Sequence, residues 1–225
     1  SEKESPLRLD DFLKFRAEFV EPIKASTSKG DLYNLPAPTQ GISSLMILAL
    51  FDKMGISKGD SFEHIHSLIE ITKQVFLKRN LELGDPNYMS SSERDWLSDD
   101  ILSGLLSKLN PNKALRWPYV PNKGDTVWMG AVDTEGTVVS FIQSVFWEFG
   151  SGLTCPKTGV FFQNRGAGFS LQPGPNQLFP RKQPFHTLNP ALALLKDGRR
   201  MVYGTMGGDG QPQTQSAIFS RYAYF

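Results

Sequence analysis

The ten-residue run Gly124-Asp125-Thr126-Val127-Trp128-Met129-Gly130-Ala131-Val132-Asp133 places a threonine at the head of a strand. The turn Thr134-Glu135-Gly136 comes next, and a second strand is expected from Thr137 to Phe146. Apolar strand formers on either side of a Gly-containing turn read as a β-hairpin. The threonine admits two readings. It is an ordinary strand residue, or it is a nucleophile, because a hydroxyl that is weak at neutral pH becomes useful when a base lies beside it. The nearest base is the threonine's own α-amine, which is free only if the chain is cut between Asp125 and Thr126.

A chain of 225 residues can bury a sizeable core, as one domain or a large piece of one. Its 24 basic and 23 acidic side chains leave a net charge of +1, so no basic field is available for nucleic acid or an anionic membrane. No apolar run approaches the roughly 20 residues that cross a bilayer. The single cysteine, Cys155, permits no internal disulfide. It reads as a small, partly buried side chain in a turn before Pro156. His64 and His66 lie two apart on a predicted helix and point in different directions, a poor metal pair. No metal and no cofactor is expected.

The first half reads as helical and the second half as strands. Asp10 and Asp11 are candidate caps for a helix to about Phe19, with Phe12, Phe15 and Phe19 on one face. Leu35-Pro36-Ala37-Pro38-Thr39-Gln40-Gly41 is an extended turn feeding a buried helix, Ile42 to Met54. Asp60 and Glu63 have capping-box spacing, opening a long helix with Ile65, Leu68, Ile69, Thr72, Phe76 and Asn80 on its buried face. A shorter helix is expected over Asp99–Leu109, then a Pro- and Gly-containing connector, Trp117 to Asp125. After the hairpin, strands are expected near Gly159–Asn164, Ala191–Lys196 and Arg200–Gly204, the last two joined at Asp197-Gly198. A terminal helix spans Gln211–Phe225, and its aromatic residues Tyr222, Tyr224 and Phe225 need a partner.

From Thr126 onward the pattern resembles the γ-glutamyltranspeptidase family. The matching positions are Thr126, Val132-Asp133, Ser144, Phe149-Gly150-Ser151-Gly152, Thr158-Gly159-Val160, Asn164, Lys182-Gln183-Pro184, Asn189-Pro190 and Gly204-Thr205-Met206-Gly207-Gly208. Their order and spacing agree over about a hundred residues, far more than one motif supplies. Leu9 to Ile23, the Leu35–Gly41 turn and Gly84-Asp85-Pro86 are similar to the late part of that family's large subunit. The resemblance implies an α+β fold, a four-layer αββα N-terminal-nucleophile hydrolase sandwich, present in part. Residues 1–125 would end the large subunit and 126–225 would begin the small one, so the chain reads as the middle of a proenzyme.

The same resemblance implies the roles. Thr126 would attack the Asp125 carbonyl in self-cleavage and then a substrate amide. Ser144 would orient that nucleophile. Gly207 and Gly208 would supply an oxyanion hole, a task suited to residues without Cβ. At the substrate end the chain departs from the transpeptidases, which hold glutamate with an Asn, an Asn or Gln, an Asp and a Ser pair. Phe146, Arg165, Gly168 and His186-Thr187 stand there instead. Losing the acid and gaining a guanidinium favours a substrate with a carboxylate and no ammonium, since arginine can bind a carboxylate through two parallel bonds. Arg165, His186, Thr187 and Asn164 are therefore the expected substrate-binding residues. The segments around them are similar to the oxamate amidohydrolase branch.

The resemblance thus implies an amidohydrolase acting on a small carboxylate-bearing amide such as oxamate through an acyl ester. A γ-glutamyltransferase or glutathione hydrolase is the alternative, and an unprocessed non-catalytic relative a third. Expected partners are the amide substrate and the remainder of both subunits, with a dimer of processed αβ units open and neither nucleic acid nor membrane involved. The expected compartment is the cytoplasm, or the periplasm or exterior if a signal peptide lies upstream.

Overall fold

The structure is a computed structural model that describes residues 7–117 and 125–225. Residues 118–124, most of the expected connector, lie outside the described residues. The chain opens with α1 (Leu9–Lys14), where the Asp11 carboxylate accepts the Arg8 N–H at 2.8 Å. Asp10 and Asp11 thus sit inside the first turn, and Arg8 takes the cap position. The helix stops well before Phe19. Beyond Lys14 the helical spacing no longer places Phe12, Phe15 and Phe19 on one face, and all three are exposed.

A hairpin that the sequence reading missed comes next, β1 (Ile23–Ser26) and β2 (Gly30–Asn34). Ile23 and Ala25 alternate with exposed Lys24 and Ser26, the period of a half-buried strand. It leads to α2 (Gly41–Met54), buried continuously from Gly41 to Phe51, as a helix apolar all round must be. This helix is the centre of the core. The long helix α3 (Phe62–Glu82) is capped by Ser61, whose Oγ accepts the His64 N–H at 3.1 Å. The cap is therefore one residue later than Asp60, which instead accepts from Arg221 at 2.7 Å.

The buried face of α3 is also rotated from expectation. Leu68, Ile71, Thr72, Val75, Phe76 and Arg79 are inside. Ile65 and Ile69 are exposed and line an open groove of about 360 Å³ with Trp117 and Ala217, to which no candidate site residue contributes. α4 (Asp99–Leu106) ends three residues short of Leu109.

The expected hairpin forms from β3 (Asp125–Val132) and β4 (Val138–Phe146). Its turn is tied by Asp133, whose Oδ1 accepts the N–H groups of Glu135 at 2.9 Å and Thr137 at 2.8 Å. No strand forms over Gly159–Asn164, where an isolated bridge joins Thr154 to Phe161. β5 (Ala191–Leu195) and β6 (Arg200–Tyr203) flank the Asp197-Gly198 turn, and α5 (Gln211–Tyr224) completes the described chain.

The strands β1-β2-β5-β6 form one antiparallel sheet in that order, and α2 packs across it with α3 and α5 alongside. The β3–β4 hairpin docks against β6. A Cβ at Gly204 would lie 2.1 Å from the Trp128 ring, so the indole reaches the sheet only because that position is glycine. This is the mixed α and β architecture expected, in the part of a layered sandwich that the described residues span. The C-terminal aromatics find partners inside the chain. The Tyr224 hydroxyl donates to Asp52 at 2.8 Å, Tyr222 accepts from Arg199 at 2.6 Å, and Phe225 packs on His64. Among the described residues no helix is long and apolar enough to cross a membrane.

Candidate active site

Thr126 is buried in β3 at the point where pairing with β4 slips. Asp125 stands opposite Phe146, but Val127 stands opposite Gln143. Ser144 and Val145 together therefore face the single residue Thr126, which is a β-bulge. Bulges interrupt the ladder and re-aim side chains. The Asp125–Thr126 peptide lies within this interruption, and Ser144 comes opposite the threonine.

β4 ends on Phe146, whose φ of 82° is left-handed. Such a conformation costs on the order of 1–3 kcal/mol for a bulky residue and persists only where its surroundings impose it. Here the Phe146 N–H donates to Ser144 Oγ at 2.9 Å. The chain then loops out and returns at Asn164. The Asn164 N–H donates to the Val145 carbonyl at 3.1 Å, and Asn164 Oδ1 accepts the Trp147 N–H at 3.1 Å. Asn164 thus clamps both ends of the loop and delivers the next residue, Arg165, beside Phe146.

Arg165 is 3% exposed. Its guanidinium lies over the Phe146 ring, 4.4 Å from the centroid, and Nη1 donates to Thr187 Oγ1 at 3.2 Å. Nη2 is buried with no hydrogen-bond partner among the described residues. Burial alone pulls the guanidinium's pKa down to about 10, with no acid among the described residues near enough to oppose it. It remains cationic at neutral pH, a desolvated cation with no acid paired to it among the described residues.

His186 is adjacent. Its N–H donates to Pro38 O and its carbonyl accepts the Gln40 N–H, both at 2.9 Å. Ring Nδ1 accepts the Leu188 N–H at 3.3 Å, which puts the proton on Nε2. Burial, reinforced by the Arg165 charge, pushes the ring's pKa down to about 3. His186 is therefore a neutral donor at physiological pH.

Gly207 and Gly208 have φ of 110° and 51°, both left-handed, and lead into α5. The Gly210 N–H donates to Gly207 O at 2.8 Å, closing a tight turn. A Cβ on Gly207 would meet nothing within 4 Å, so the space beside it is open. A helix N-terminus lies immediately beyond, where backbone dipoles favour negative charge.

Three residues outside the expected set join these parts. Gln40, 0% exposed at the start of α2, donates from Nε2 to Thr187 O and to Gly208 O, both at 2.8 Å. Its Oε1 accepts from Arg79 Nη1 at 2.8 Å. That same Nη1 lies 3.2 Å from Asp209 Oδ1. Contacts thus run from Ser144 to Phe146, Arg165, Thr187, Gln40 and Gly208. Sequence reading had a signal for Gln40, an amide at the mouth of a helix apolar all round, and for Arg79, a cation one residue from the position assigned to Asn80. Their partners lie too far along the chain to be read from spacing. The two helical histidines serve elsewhere: His64 meets Ser220 Oγ at 2.9 Å and His66 meets the Asn110 carbonyl at 2.9 Å.

The family model described as gamma-glutamyltranspeptidase matches residues 1–225. The oxamate amidohydrolase proenzyme of Klebsiella pneumoniae is 46% identical over 218 residues, covering 96% of this chain and 41% of that protein. The glutathione hydrolase-like YwrD proenzyme of Bacillus subtilis is 38% identical over 221 residues, covering 96% of this chain and 42% of that protein. Among solved structures, cephalosporin acylase from Bacillus halodurans superposes with a TM-score of 0.88 at 30% identity, over 100% of this chain and 42% of that one. The chain spans about two fifths of the length of the curated relatives it matches.

Proposed function

The chain belongs to the γ-glutamyltranspeptidase family, and from that premise we propose that it is the central part of a self-processing amidohydrolase for a small amide bearing a carboxylate, oxamate being the first candidate. Residues 1–125 close the large subunit and 126–225 open the small one. In self-cleavage the Thr126 hydroxyl attacks the Asp125 carbonyl, the acyl group moves to oxygen as an ester, and water releases it. The bulge supports this step, because a peptide outside the regular ladder is easier to distort toward a tetrahedral intermediate.

The freed α-amine then serves as base. It takes the hydroxyl proton as Thr126 oxygen attacks the substrate amide carbonyl, with Ser144 orienting the oxygen. The negative charge on the carbonyl oxygen is received by the Gly207 and Gly208 N–H groups. Collapse breaks the C–N bond, and the ammonium gives its proton to the departing nitrogen, releasing ammonia. Water attacks the resulting oxalyl ester by the same path in reverse, yielding oxalate and free Thr126.

The observation that carries the substrate class is Arg165, a buried guanidinium with one orphaned nitrogen and no acid beside it among the described residues. A carboxylate there would satisfy it with charge-assisted bonds. The neutral His186 ring and the Thr187 hydroxyl would complete the clamp. The relative named as an oxamate amidohydrolase supports the same reading. The glutathione hydrolase-like relative favours a second reading, γ-glutamyl hydrolysis by the same nucleophile. Against it, Asp209, the acid beside the glycine pair, is already engaged by Arg79 and so is poorly placed for a substrate ammonium.

The test uses the full-length protein beside Thr126→Ala. We expect two masses dividing between Asp125 and Thr126, ammonia release from oxamate and little turnover of γ-glutamyl p-nitroanilide, with cleavage and hydrolysis both lost in the variant. Turnover of the anilide alone would replace this reading with the second. A single uncut mass in both proteins would end the catalytic reading.

A further inference from the structure

Two adjacent glycines in left-handed backbone cannot fix their own direction. Glycine has the widest conformational range of any residue, so Gly207 and Gly208 can aim their N–H groups in many ways. An oxyanion hole works only if its donors are aimed before charge develops. Something outside the turn has to hold it, and the structure contains such a holder. Gln40 grips the Gly208 carbonyl at 2.8 Å, and Arg79 grips the next side chain, Asp209, at 3.2 Å. The Gly208 backbone is thus restrained through its own oxygen and through its successor.

The same Gln40 nitrogen also holds the Thr187 carbonyl at 2.8 Å. Thr187 is the residue whose hydroxyl accepts from Arg165. One buried amide group therefore spans the two halves of the site, the turn that would receive the oxyanion and the segment that positions the carboxylate clamp. Arg79 fixes the amide's orientation in turn, because its Nη1 donates to Gln40 Oε1 at 2.8 Å and forces Nε2 toward the two carbonyls. Gln40 lies at the start of α2, the most deeply buried helix, so the whole arrangement is referred to a rigid element.

We propose that Gln40, oriented by Arg79, is a positioning residue that sets the separation between the carboxylate clamp and the oxyanion-binding glycines. In a two-carbon amide the carboxylate and the reacting carbonyl are directly bonded. That separation is then a selector of chain length as well as of rate. The inference rests on the amidohydrolase reading above, and its test keeps the two apart.

The test compares Gln40→Glu and Gln40→Met in the full-length protein with the parent and with Thr126→Ala. Glu keeps the volume and the oxygen toward Arg79 but has no N–H pair for the two carbonyls. Met keeps the volume alone. Substrates are oxamate and malonamate, which is one methylene longer. With self-cleavage intact by mass, we expect kcat on oxamate to fall about 100-fold, as when an oxyanion donor is lost. The preference for oxamate over malonamate in kcat/KM should shrink about ten-fold. A purely structural role would lower the melting temperature and the yield while leaving kcat per active site and the preference in place. Both quantities within about two-fold of the parent, in either folded variant, overturn the inference while the amidohydrolase reading stands. A parent that hydrolyses neither amide, or a Thr126→Ala protein that still does, overturns that reading and this inference with it.

Discussion

Two buried arginines flank the candidate site, and the fold treats them in opposite ways. Arg79 is 5% exposed and saturated with partners. It meets Gln40 and Asp209 through Nη1 and Asn80 through Nε and Nη2, and its guanidinium lies 3.8 Å from the Phe76 ring centroid. Arg165 is buried as deeply, yet has one hydroxyl, one aromatic face and an orphaned nitrogen among the described residues. Burying an unpaired charge is among the most costly things a fold can do. The difference sets Arg79, whose partners all come from the chain, apart from Arg165, which the proposed carboxylate would complete.

The two arginines should respond in opposite ways to loss of charge. Arg79→Met leaves the buried Gln40 oxygen without its donor and removes one contact of Asp209, and we expect a loss of about 1–3 kcal/mol, the cost of an unsatisfied buried polar group. Arg165→Met removes a desolvated cation that no acid among the described residues stabilises, and the folded protein should be as stable as the parent or more so. Its KM for oxamate should nevertheless rise about 10- to 100-fold, the value of a charged hydrogen bond. Thermal unfolding and steady-state kinetics on the two variants check this. Equal destabilisation would mean that Arg165 is scaffold as well.

His186 makes the uncompensated charge of Arg165 visible through pH. An unfolded histidine titrates near 6.5, and in the fold this one is pushed down to about 3. Between those values the unfolded chain binds the extra proton. The contribution is therefore present in full above pH 6.5 and is lost as pH falls toward 3, by at most about 1.4 kcal/mol per unit. Urea unfolding at pH 7 and pH 5 should show this loss in the parent and a smaller one in His186→Gln. A carboxylate bound at Arg165 would offset part of the cation's push, so oxamate should also reduce the loss in the uncut Thr126→Ala protein. An identical pH dependence in parent and His186→Gln would refute the assignment.

The elements legible in the sequence were those whose signals are local. The β3–β4 hairpin declares itself by its turn, α2 by continuous apolarity, and the β5–β6 pair by Asp197-Gly198. β1 and β2 escaped notice because four- and five-residue strands give the period-two pattern little room. α3 was misread because it carries two apolar stripes. Which one is buried depends on α2 and α5, not on α3 itself, so Ile65 and Ile69 could not be separated from Leu68, Ile71 and Val75 in advance. At the site, the Thr126–Ser144 juxtaposition came from hairpin register, although the bulge that brings them opposite did not. Gln40 and Arg79 carry a local signal, a polar group beside an apolar stretch, but not their role, because their partners lie 168 and 130 positions away, at Gly208 and Asp209.

The smallest expected effect concerns the aromatic rings on which the two arginines rest. Phe76 lies within α3 and supports Arg79 without backbone strain, whereas Phe146 supports Arg165 from a left-handed φ of 82°. Asparagine adopts that conformation more readily than phenylalanine. Phe146→Asn therefore relieves strain of about 1 kcal/mol while giving up a cation–π contact worth about as much. Stability should hardly move. Function should, because removing the ring opens the space beside the guanidinium. KM for oxamate should rise only several-fold, as the Arg165 charge and its Thr187 contact remain, while malonamate should gain room and turn over relatively faster. A variant that melts with the parent but admits the longer acid would assign the strained ring to ligand selection. If the oxamate preference stayed unchanged, the ring would be packing alone.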